Sequence, residues 1–509
     1  MTAAPAFLLL HPADDVVLAR QLLPAGSEIH HAGAVIRVRA DIPRGHKLAL
    51  RAIAPDAPVR KYGQVIGFAT QAIAPGDHVH CHNLGMRDFD REYVFGTDLR
   101  PVESAAPRTF AGFQCRDGRV GTRNYVAVIS SVNCSASVAT FVRDRFRTPQ
   151  FHRDFPHVDG VIAFTHKSGC CVQPGEPMEV LRRVHAGMAN HVNIAGYVMI
   201  GLGCEGNQID ALRADYRLGQ ADGVPTAFMT IQQSGGVAKT VALGVEAVQR
   251  ILPIANAARR TPQPLSHLIL AENCGGSDGY SGITANPALG VAADLLVAHG
   301  GTVVLGETPE IYGAEHLLMR RAVNADVGNK LVERIRWWEA HAKRFDATID
   351  NNPTPGNKAG GLTTIYEKSL GAVAKGGQTP LVEVYRYAEP ITAKGFVFMD
   401  TPGLDPVSMT GLVAGGATIG VFTTGRGSVY GCKPSPCLKV ATNTPLFEHM
   451  NDDMDVNAGT IADGSETVAE VGARLFERIV ATASGERTKS EILGLGDEEF
   501  APWQLGPTF

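Results

Sequence analysis

Short apolar runs separated by turn residues fill the first hundred positions of the chain. Residues such as Pro24, Gly26, Pro43 and Gly45 punctuate these runs, and no helical period intervenes. The predicted strands are residues 7–10, 16–18, 28–31, 35–39, 48–52, 59–62 and 65–69. Residues 1–97 are therefore predicted to form a small all-β domain, called the β module below.

Beyond the β module, strand-like and helix-like segments alternate. Four apolar runs are typical of buried parallel strands. They are residues 125–129, 160–164, 197–200 and 267–270. Residues 98–109 hold two prolines and two alanines, which favours a linker, and the segment 256–264 marks a second boundary. The pattern predicts an α/β fold with largely parallel sheets, divided into a second domain at 110–255 and a C-terminal domain at 265–509.

The predicted strand that ends at Ala271 runs directly into the Gly-rich segment 272–287. In open α/β sheets such a loop lies at the carboxyl edge, where ligands bind. Its glycines allow the backbone to approach an anion closely, while Cys274, Ser277 and Asp278 add a thiol, a hydroxyl and a carboxylate. A tight turn with one buried cysteine is the alternative interpretation of this segment.

Two further Gly-rich segments, 352–361 and 423–431, each carry one cation within flexible backbone. Lys358 in the first segment and Arg426 in the second suit a carboxylate or phosphate ligand. Neither segment matches the patterns of phosphate-binding or dinucleotide-binding loops, so nucleotide binding has no specific support.

A cysteine follows each of the four predicted parallel strands within four to six residues. These residues are Cys134, Cys170, Cys204 and Cys274. Parallel strands would place all four thiols on one sheet edge, where thiolates could bind iron, zinc or an iron–sulfur cluster. Buried packing is the alternative role, and the spacing matches no standard zinc-finger or ferredoxin motif.

His78, His80 and His82 alternate along the chain. On a strand, the three imidazoles would project from one face, a spacing that suits metal ligands. An exposed polar strand face is the alternative interpretation. His46 and Lys47 lie on a predicted turn of the same module, with no apolar periodicity to bury them.

Composition narrows the class of protein. The chain has 509 residues, with 47 basic against 51 acidic residues and a net charge of −4, which argues against a nucleic-acid-binding surface. No apolar run reaches the roughly 18 residues of a membrane helix, and the start lacks the charged region of a signal peptide. A cytoplasmic protein is therefore expected, and its nine cysteines are too sparse for a disulfide scaffold.

Ten short stretches spread over nearly the whole chain match one known family in order: residues 44–47, 61–63, 66–67, 120–124, 169–170, 200–205, 274–278, 281–287, 355–358 and 424–427. On these stretches the chain resembles the altronate/galactarate dehydratase family. The resemblance implies an N-terminal SAF-type β-clip domain followed by α/β domains. It also implies dehydration of a sugar acid to a 2-keto-3-deoxy product, with D-altronate favoured and galactarate or another hydroxy acid as the alternative substrate.

The resemblance further implies a divalent metal cofactor, usually Fe(II), with Mn(II) or Mg(II) possible and an iron–sulfur cluster as a minor alternative. A small-molecule sugar acid is the expected partner, and a homo-oligomer, a dimer, is the expected assembly. A non-catalytic sugar-acid sensor is the competing function, because a β-clip domain and Gly-rich anion loops alone would suit binding.

Dehydration of a 2,3-dihydroxy acid requires removal of the C2 proton, stabilisation of the resulting enediolate and departure of the C3 hydroxyl. The predicted catalytic residues are His46, Lys47, Ser277 and Asp278, with His46 or Lys47 as the base. The predicted substrate-binding residues are Arg123, Asn124, Asn286, Asn357, Lys358 and Arg426. The predicted metal ligands are His80 and His82, with Cys134, Cys170, Cys204, Glu205 and Cys274 as the alternative set.

Overall fold

The β module consists of three small antiparallel sheets, as the pattern of short apolar runs predicts. The computed structural model of the chain describes residues 5–87, 89, 91–220 and 224–507. The strands of the module are β1 Phe7–Leu8, β2 Val16–Ala19, β3 Glu28–His31, β4 Ala34–Arg37, β5 Lys47–Ala49, β6 Pro58–Lys61, β7 Gln64–Ala69, β8 His78–Val79 and β9 Leu84–Gly85. Their orders are β1-β2-β5-β8, β3-β4 and β6-β7-β9. All seven strands predicted from the sequence are present, and the short β8 and β9 are additional.

The histidine segment does not continue as a strand. Strand β8 ends at Val79, because the side chain of Asn83 closes a turn: its amide nitrogen donates to the His78 carbonyl at 3.0 Å and its amide oxygen accepts from the His80 backbone N–H at 2.9 Å. The expectation that three imidazoles share one strand face is therefore wrong for His80 and His82, which both lie beyond the strand, and His82 is exposed in this turn.

The second domain is built on a four-stranded parallel sheet of order β13-β12-β14-β15, beside a three-stranded antiparallel sheet of order β11-β10-β16. Its strands are β10 Thr109–Gln114, β11 Val120–Gly121, β12 Tyr125–Ser130, β13 Gly160–Phe164, β14 Ile194–Gly201, β15 Thr226–Thr230 and β16 Arg260–Pro264. Its helices are α1 Ala136–Asp144, α2 Phe151–Asp154, α3 Glu176–Ala189, α4 Ile209–Tyr216 and α5 Val237–Asn256. Strand β12 is buried throughout. Val126 and Val128 pack with α1 and α5, whereas Ala127 and Ile129 face the core shared with α3.

The C-terminal domain contains a seven-stranded parallel sheet of order β19-β20-β18-β17-β21-β22-β23. Its strands are β17 Ile269–Cys274, β18 Thr302–Leu305, β19 Leu381–Tyr385, β20 Gly395–Met399, β21 Ile419–Thr424, β22 Cys437–Ala441 and β23 Val456–Asn457. Its helices are α6 Ala285–Ala298, α7 Glu315–Met319, α8 Ala325–Arg344, α9 Pro355–Ala359, α10 Ile365–Ala372, α11 Asp405–Ala414, α12 Thr444–His449, α13 Gly459–Asp463, α14 Val468–Ala483 and α15 Lys489–Leu493. Among the described residues, no helix is both long enough and apolar enough to cross a membrane.

The two parallel sheets separate the cysteines that the sequence placed on one edge. Cys134, Cys170 and Cys204 follow β12, β13 and β14 of the second domain, whereas Cys274 ends β17 of the C-terminal domain. The expectation of one shared edge is therefore wrong for Cys274, because apolar runs do not reveal which of two sheets a strand joins.

The β module packs against the carboxyl edge of the C-terminal sheet. The hydroxyl of Tyr280, in the loop after β17, donates to the Ala19 carbonyl of β2 at 3.0 Å. Arg91, near the end of the module, has its Nε 2.8 Å from Glu315 Oε1 of the C-terminal domain, and both side chains are largely buried. These contacts bring the turn that carries His46 over the Gly-rich loops of the C-terminal domain.

Candidate active site

Three imidazoles of the β module form a cluster at this interface. His46 precedes β5, and β5 pairs with β8, where Leu48 is opposite His78. His46 Nδ1 lies 3.0 Å from His78 Nε2, and the ring centroid of His80 is 5.0 Å from that of His46 and 5.3 Å from that of His78. One ring nitrogen from each of the three lies within 4.8 Å of the other two. Three potential ligand atoms therefore converge on one point.

The imidazoles of this cluster are neutral near neutral pH. Burial, together with the neighbouring imidazoles, lowers the pKa of His78 to about 3, and burial with the nearby Lys47 lowers the pKa of His80 to about 4. Burial also lowers the pKa of His46. Neutral imidazole is the form that binds metal.

Two details of the cluster fit a metal ion. His80 Nδ1 is buried and has no hydrogen-bond partner among the described residues. His46 Nε2 faces the Ala359 carbonyl at 3.3 Å; if it donates there, the Nδ1 lone pair points to His78. Histidines that bind metals usually donate their other ring nitrogen in this way, and imidazole suits iron and zinc. His82 stacks obliquely on His78 with ring centroids 5.6 Å apart, outside the group of three.

Below the imidazoles, two lysines of the β module share one carboxylate of the C-terminal domain. Lys47 Nζ lies 2.8 Å from Glu367 Oε2, and Lys61 Nζ lies 2.9 Å from Glu367 Oε1, with all three side chains buried. Burial alone would raise the pKa of Glu367, but the two ammonium groups hold that pKa well below its ordinary value. Lys47 also donates to the Gly361 carbonyl at 2.7 Å, so it ties the turn of His46 to the loop after α9.

Backbone contacts bring three loops together around Gly45. A side-chain carbon added to Gly279 would lie 2.1 Å from the Gly45 carbonyl oxygen, and one added to Gly361 would lie 2.2 Å from it. No side chain fits at these distances, so glycine is required for the loops to touch. The contact joins the His46 turn, the loop after β17 and the loop after α9.

Ser277 and Asp278 organise these loops. The Asp278 carboxylate accepts hydrogen bonds from the Tyr280 backbone N–H at 3.1 Å, from Thr442 Oγ1 at 2.9 Å and from Asn443 Nδ2 at 3.1 Å, and Ser281 Oγ adds a fourth at 3.1 Å. Burial raises the pKa of Asp278, and these hydrogen bonds oppose that rise. The buried amide of Asn357 donates to the Ser277 carbonyl at 2.8 Å.

Two cations stand at the same loops without an acidic partner. Lys358 follows Asn357 in α9 and is half-buried, and Arg426 is exposed in the loop after β21. Within the described part of the chain, neither has a carboxylate within 4 Å. A side-chain carbon on Gly360 would lie 3.2 Å from Arg426 Cδ, so the arginine lies over the residues that follow Lys358. The two charges are therefore free to bind an anion.

A second polar cluster lies deeper at the carboxyl edge of the C-terminal sheet. Cys274 Sγ lies 2.8 Å from Lys375 Nζ, 3.3 Å from Glu310 Oε2 and 3.6 Å from Glu307 Oε2. Lys368 Nζ lies 2.5 Å from Glu310 Oε1. Cys274, Glu307 and Glu310 form a second group of three potential ligand atoms within 4.8 Å of one another.

Glu307 and Glu310 are functional candidates that the sequence-based site prediction missed. They follow β18, whose end lies beside that of β17 in the sheet order, and this position after an apolar run is the signal that could have revealed them. Both oxygens of the neighbouring Glu272 and one oxygen of Glu307 are buried without a hydrogen-bond partner among the described residues. Lys375 already contacts a potential ligand atom of this second cluster. Among the described hydrogen bonds, no cationic side chain contacts the three imidazoles.

Other predicted site residues lie in contacts internal to the fold. Arg123 pairs with Glu491, and all three of its guanidinium nitrogens have partners. Asn124 donates to the carbonyls of His157 and Ala255. Asn286, buried in α6, donates to the Gly371 carbonyl at 2.9 Å. Their predicted substrate contacts remain predictions.

The three predicted ligand thiols of the second domain are exposed. Cys134, Cys170 and Cys204 face solvent, and Cys274 is buried. The Glu205 carboxylate is buried and accepts from Ser131 Oγ at 2.9 Å and from the Gly203 backbone N–H at 2.6 Å. It therefore shapes the loop that presents Cys204.

Neutral imidazoles lie above Gly-rich loops that carry unpaired cations. This arrangement is that of an enzyme site, and it suits a small organic anion beside a metal ion. Family models match the chain over nearly its whole length. They are the altronate/galactarate dehydratase SAF domain at residues 5–87, the D-galactarate dehydratase/altronate hydrolase second domain at 112–256 and the D-galactarate/altronate dehydratase C-terminal domain at 265–508. The chain belongs to the D-galactarate/altronate dehydratase family.

Characterised relatives agree with this assignment. The chain is similar to the altronate dehydratases of Bacillus subtilis and Escherichia coli, each 36% identical over 488 residues, which cover 95% of this chain and 96% of the relative. It is also similar to the galactarate dehydratase (L-threo-forming) of E. coli, 37% identical over 505 residues, which cover 97% of this chain and 95% of the relative. The predictions of the family, of the SAF-type α/β fold and of a hydro-lyase are confirmed, and the sensor alternative is set aside.

Proposed function

We propose that this protein dehydrates D-altronate to the corresponding 2-keto-3-deoxy sugar acid with the help of a divalent ion, Fe(II), held by His46, His78 and His80. The observation that carries the proposal is the position of the three neutral imidazoles, one with an unpartnered nitrogen, directly over the loops that present Lys358 and Arg426. A metal ligand set and an anion site therefore share one interface.

The reaction removes the proton from C2 and the hydroxyl from C3, which leaves as water, and the resulting enol tautomerises to the 2-keto acid. A bound divalent ion would polarise the substrate carboxylate and so acidify the C2 proton. The ammonium of Lys358 and the guanidinium of Arg426 would hold the negative charge of the substrate through charge-assisted hydrogen bonds.

The remaining residues position these groups. Asp278 and Asn357 fix the two Gly-rich loops through hydrogen bonds to the surrounding backbone and side chains. Lys47 holds the Gly361 carbonyl and the Glu367 carboxylate, and so fixes the adjacent His46 against the C-terminal domain. His46 is assigned to the ion because its Nδ1 is directed at His78 and its Nε2 faces a carbonyl.

Galactarate is the second candidate substrate, since the identity to the galactarate dehydratase is as high as that to the altronate dehydratases. We favour altronate because the sequences of segments 77–82 and 307–315 resemble those of the altronate branch of the family.

A sugar-acid panel tests the function. The metal-free protein, supplied separately with Fe(II), Mn(II) and Mg(II), is incubated with D-altronate, galactarate and other hexonates, and the 2-keto product is measured after carbonyl derivatisation. We expect the highest kcat/KM for D-altronate with Fe(II). Faster turnover of galactarate would identify galactarate as the substrate in place of D-altronate. If no sugar acid gave a product with any of the ions, the dehydratase function itself would be refuted.

A further inference from the structure

Asp405 lies at the carboxyl edge of the C-terminal sheet, beside the Gly-rich loop that follows β17. It is the first residue of α11, which follows β20 in the chain and packs against β17. A side-chain carbon added to Gly275 would lie 2.3 Å from Asp405 Oδ2, so the missing side chain of Gly275 leaves this carboxylate its place against the loop. The edge where ligands bind in such sheets therefore carries a further carboxylate.

The next residue of the same loop holds the segment of Arg426. The Gly276 carbonyl accepts from the Arg426 backbone N–H at 2.8 Å, and a side-chain carbon added to Gly276 would lie 3.4 Å from Arg426 Cβ. Asp405 and Arg426 thus contact consecutive residues of one loop. This arrangement brings the carboxylate next to the segment whose guanidinium is assigned to the anionic substrate.

A ligand can reach Asp405, whereas the neighbouring acidic side chains are enclosed. Asp405 is partly exposed. Glu307 and Glu310 are buried, and Glu310 is paired with Lys368. Asp278 is also buried and already accepts four hydrogen bonds inside the fold. Of these four carboxylates, Asp405 is the one that is open to a substrate.

The surroundings of Asp405 favour its protonated form. Burial and the carboxylate of Glu310 raise the pKa of Asp405 to about 7, although the ammonium groups of Lys368 and Lys375 oppose the rise. Glu307, the other carboxylate of the deeper cluster, faces Asp405 as well, and the two charges disfavour each other. An acid with a pKa near 7 can donate a proton and regain it at neutral pH.

We propose that Asp405 is the general acid of the dehydration and protonates the C3 hydroxyl as it leaves, an inference that rests on the proposed function. The O–H bond of the Asp405 carboxylic acid breaks, its proton joins the C3 oxygen, and the C3–O bond breaks with its electron pair on the departing water. The electron pair of the C2–H bond becomes the second C2–C3 bond of the enol. Asp405 is left as a carboxylate, and solvent returns its proton before the next turnover.

A substrate whose leaving group needs no proton tests this role. Fluoride departs as an anion, so the 3-deoxy-3-fluoro analogue of the sugar acid that is turned over fastest in the panel gives the same 2-keto product without a general acid. Asp405→Asn should lower kcat on the sugar acid by about 10² to 10⁴, yet stay within about threefold of the parent on the fluoro analogue. Carbonyl derivatisation and fluoride release measure the two reactions.

Two other aspartates provide the controls. Asp278→Asn alters the acceptor that organises the loops, so it should slow both substrates alike. Asp210→Asn replaces an exposed side chain on α4 and should match the parent on both substrates. Circular dichroism and metal content show whether Asp405→Asn is folded and loaded, and Asp405→Ser serves in its place if it does not fold.

Exchange of the C2 hydrogen in deuterated water is the second measurement, and it decides the question if the parent leaves the fluoro analogue unconverted. Asp405→Asn should still remove the C2 proton, so deuterium should enter unreacted sugar acid faster than product forms. The inference is overturned if the folded variant dehydrates the sugar acid at the parental rate, if it loses both substrates equally, or if exchange falls together with product formation. Absence of product from the parent itself would instead refute the proposed function.

Discussion

Lys47 of the β module and Glu367 of the C-terminal domain form an ion pair of 2.8 Å in which both side chains are fully buried. Lys61 completes the arrangement from β6. Removing one partner of a buried pair leaves an uncompensated charge, which costs far more than the loss of an exposed pair. The two buried lysines of the β module therefore depend on a single carboxylate for their counter-charge.

Glu367→Gln should lower the free energy of unfolding by about 3 kcal/mol, because two buried ammonium groups would lose their counter-charge. Denaturant unfolding followed by fluorescence measures this loss. Glu477→Gln removes an exposed pair with Arg108 and is the matched control, with an expected change below about 1 kcal/mol. Equal effects of the two substitutions would contradict the importance of the buried pair.

The contribution of Glu367 should also depend on pH. Since its pKa is held well below the ordinary value of about 4.3, the ionised carboxylate stabilises the folded state above that pH, and the contribution is lost as the pH falls further. The difference in stability between the parent and Glu367→Gln should be constant from about pH 8 to pH 5.5 and shrink below about pH 4.3. If this stability difference instead grew as the pH fell, the assigned direction of the Glu367 pKa shift would be wrong.

His46→Gln, His78→Gln and His80→Gln should each weaken Fe(II) or Mn(II) binding at least about 100-fold, because an amide replaces an imidazole ligand. Metal retained after dialysis measures the effect. His82→Gln is the control, since His82 lies outside the group of three. If His46→Gln keeps its metal while kcat falls by about 10² to 10⁴, His46 acts as the general base instead, as the sequence also allowed.

Lys358→Ala and Arg426→Ala should each reduce kcat/KM about thirtyfold, which corresponds to about 2 kcal/mol for one charge-assisted contact. Steady-state kinetics on the substrate found in the panel provide the measurement. Arg250→Ala removes an exposed cation on α5 that pairs with Glu246, and it should leave the kinetics unchanged. Unaltered kinetics in both loop variants would show that other groups recognise the substrate.

Cutting the chain within residues 98–108 should preserve activity only when both pieces are produced together. The β module supplies the imidazoles, and the C-terminal domain supplies Lys358, Arg426 and the Glu367 anchor, so neither piece holds a complete site. Co-purification of the pieces and turnover of the mixture are the measurements. Full turnover by the larger piece alone would place the reaction outside the interface.

The pattern of apolar and turn residues was sufficient to predict individual strands, but not how those strands assemble into sheets. The seven strands of the β module and the buried strands that became β12, β13, β14 and β17 follow from apolar runs and turn residues, which act locally. The position of His82 depended on a side-chain turn closed by Asn83, and alternation alone does not reveal such a turn.

Contacts between residues far apart in the chain explain the other differences between the predicted and the observed site. Cys274 joins Glu307 and Glu310 because β17 and β18 are neighbours in a sheet separate from that of the other cysteines. Arg123 pairs with Glu491, 368 positions away, and no local signal distinguishes a buried structural arginine from one that binds a ligand. His46, Lys47, Lys358 and Arg426 were predicted from short polar segments near glycines, and their roles remain predictions. His46 and Lys47 are buried in the structure, which the absence of apolar periodicity around them did not indicate.

Glu367 and Lys368 are consecutive residues of α10, yet they serve different neighbours: Glu367 holds the lysines of the β module, and Lys368 holds Glu310 beside Cys274. One helix therefore carries both contacts, and a displacement of α10 would disturb the anchor of the β module and the acidic residues at the sheet edge together.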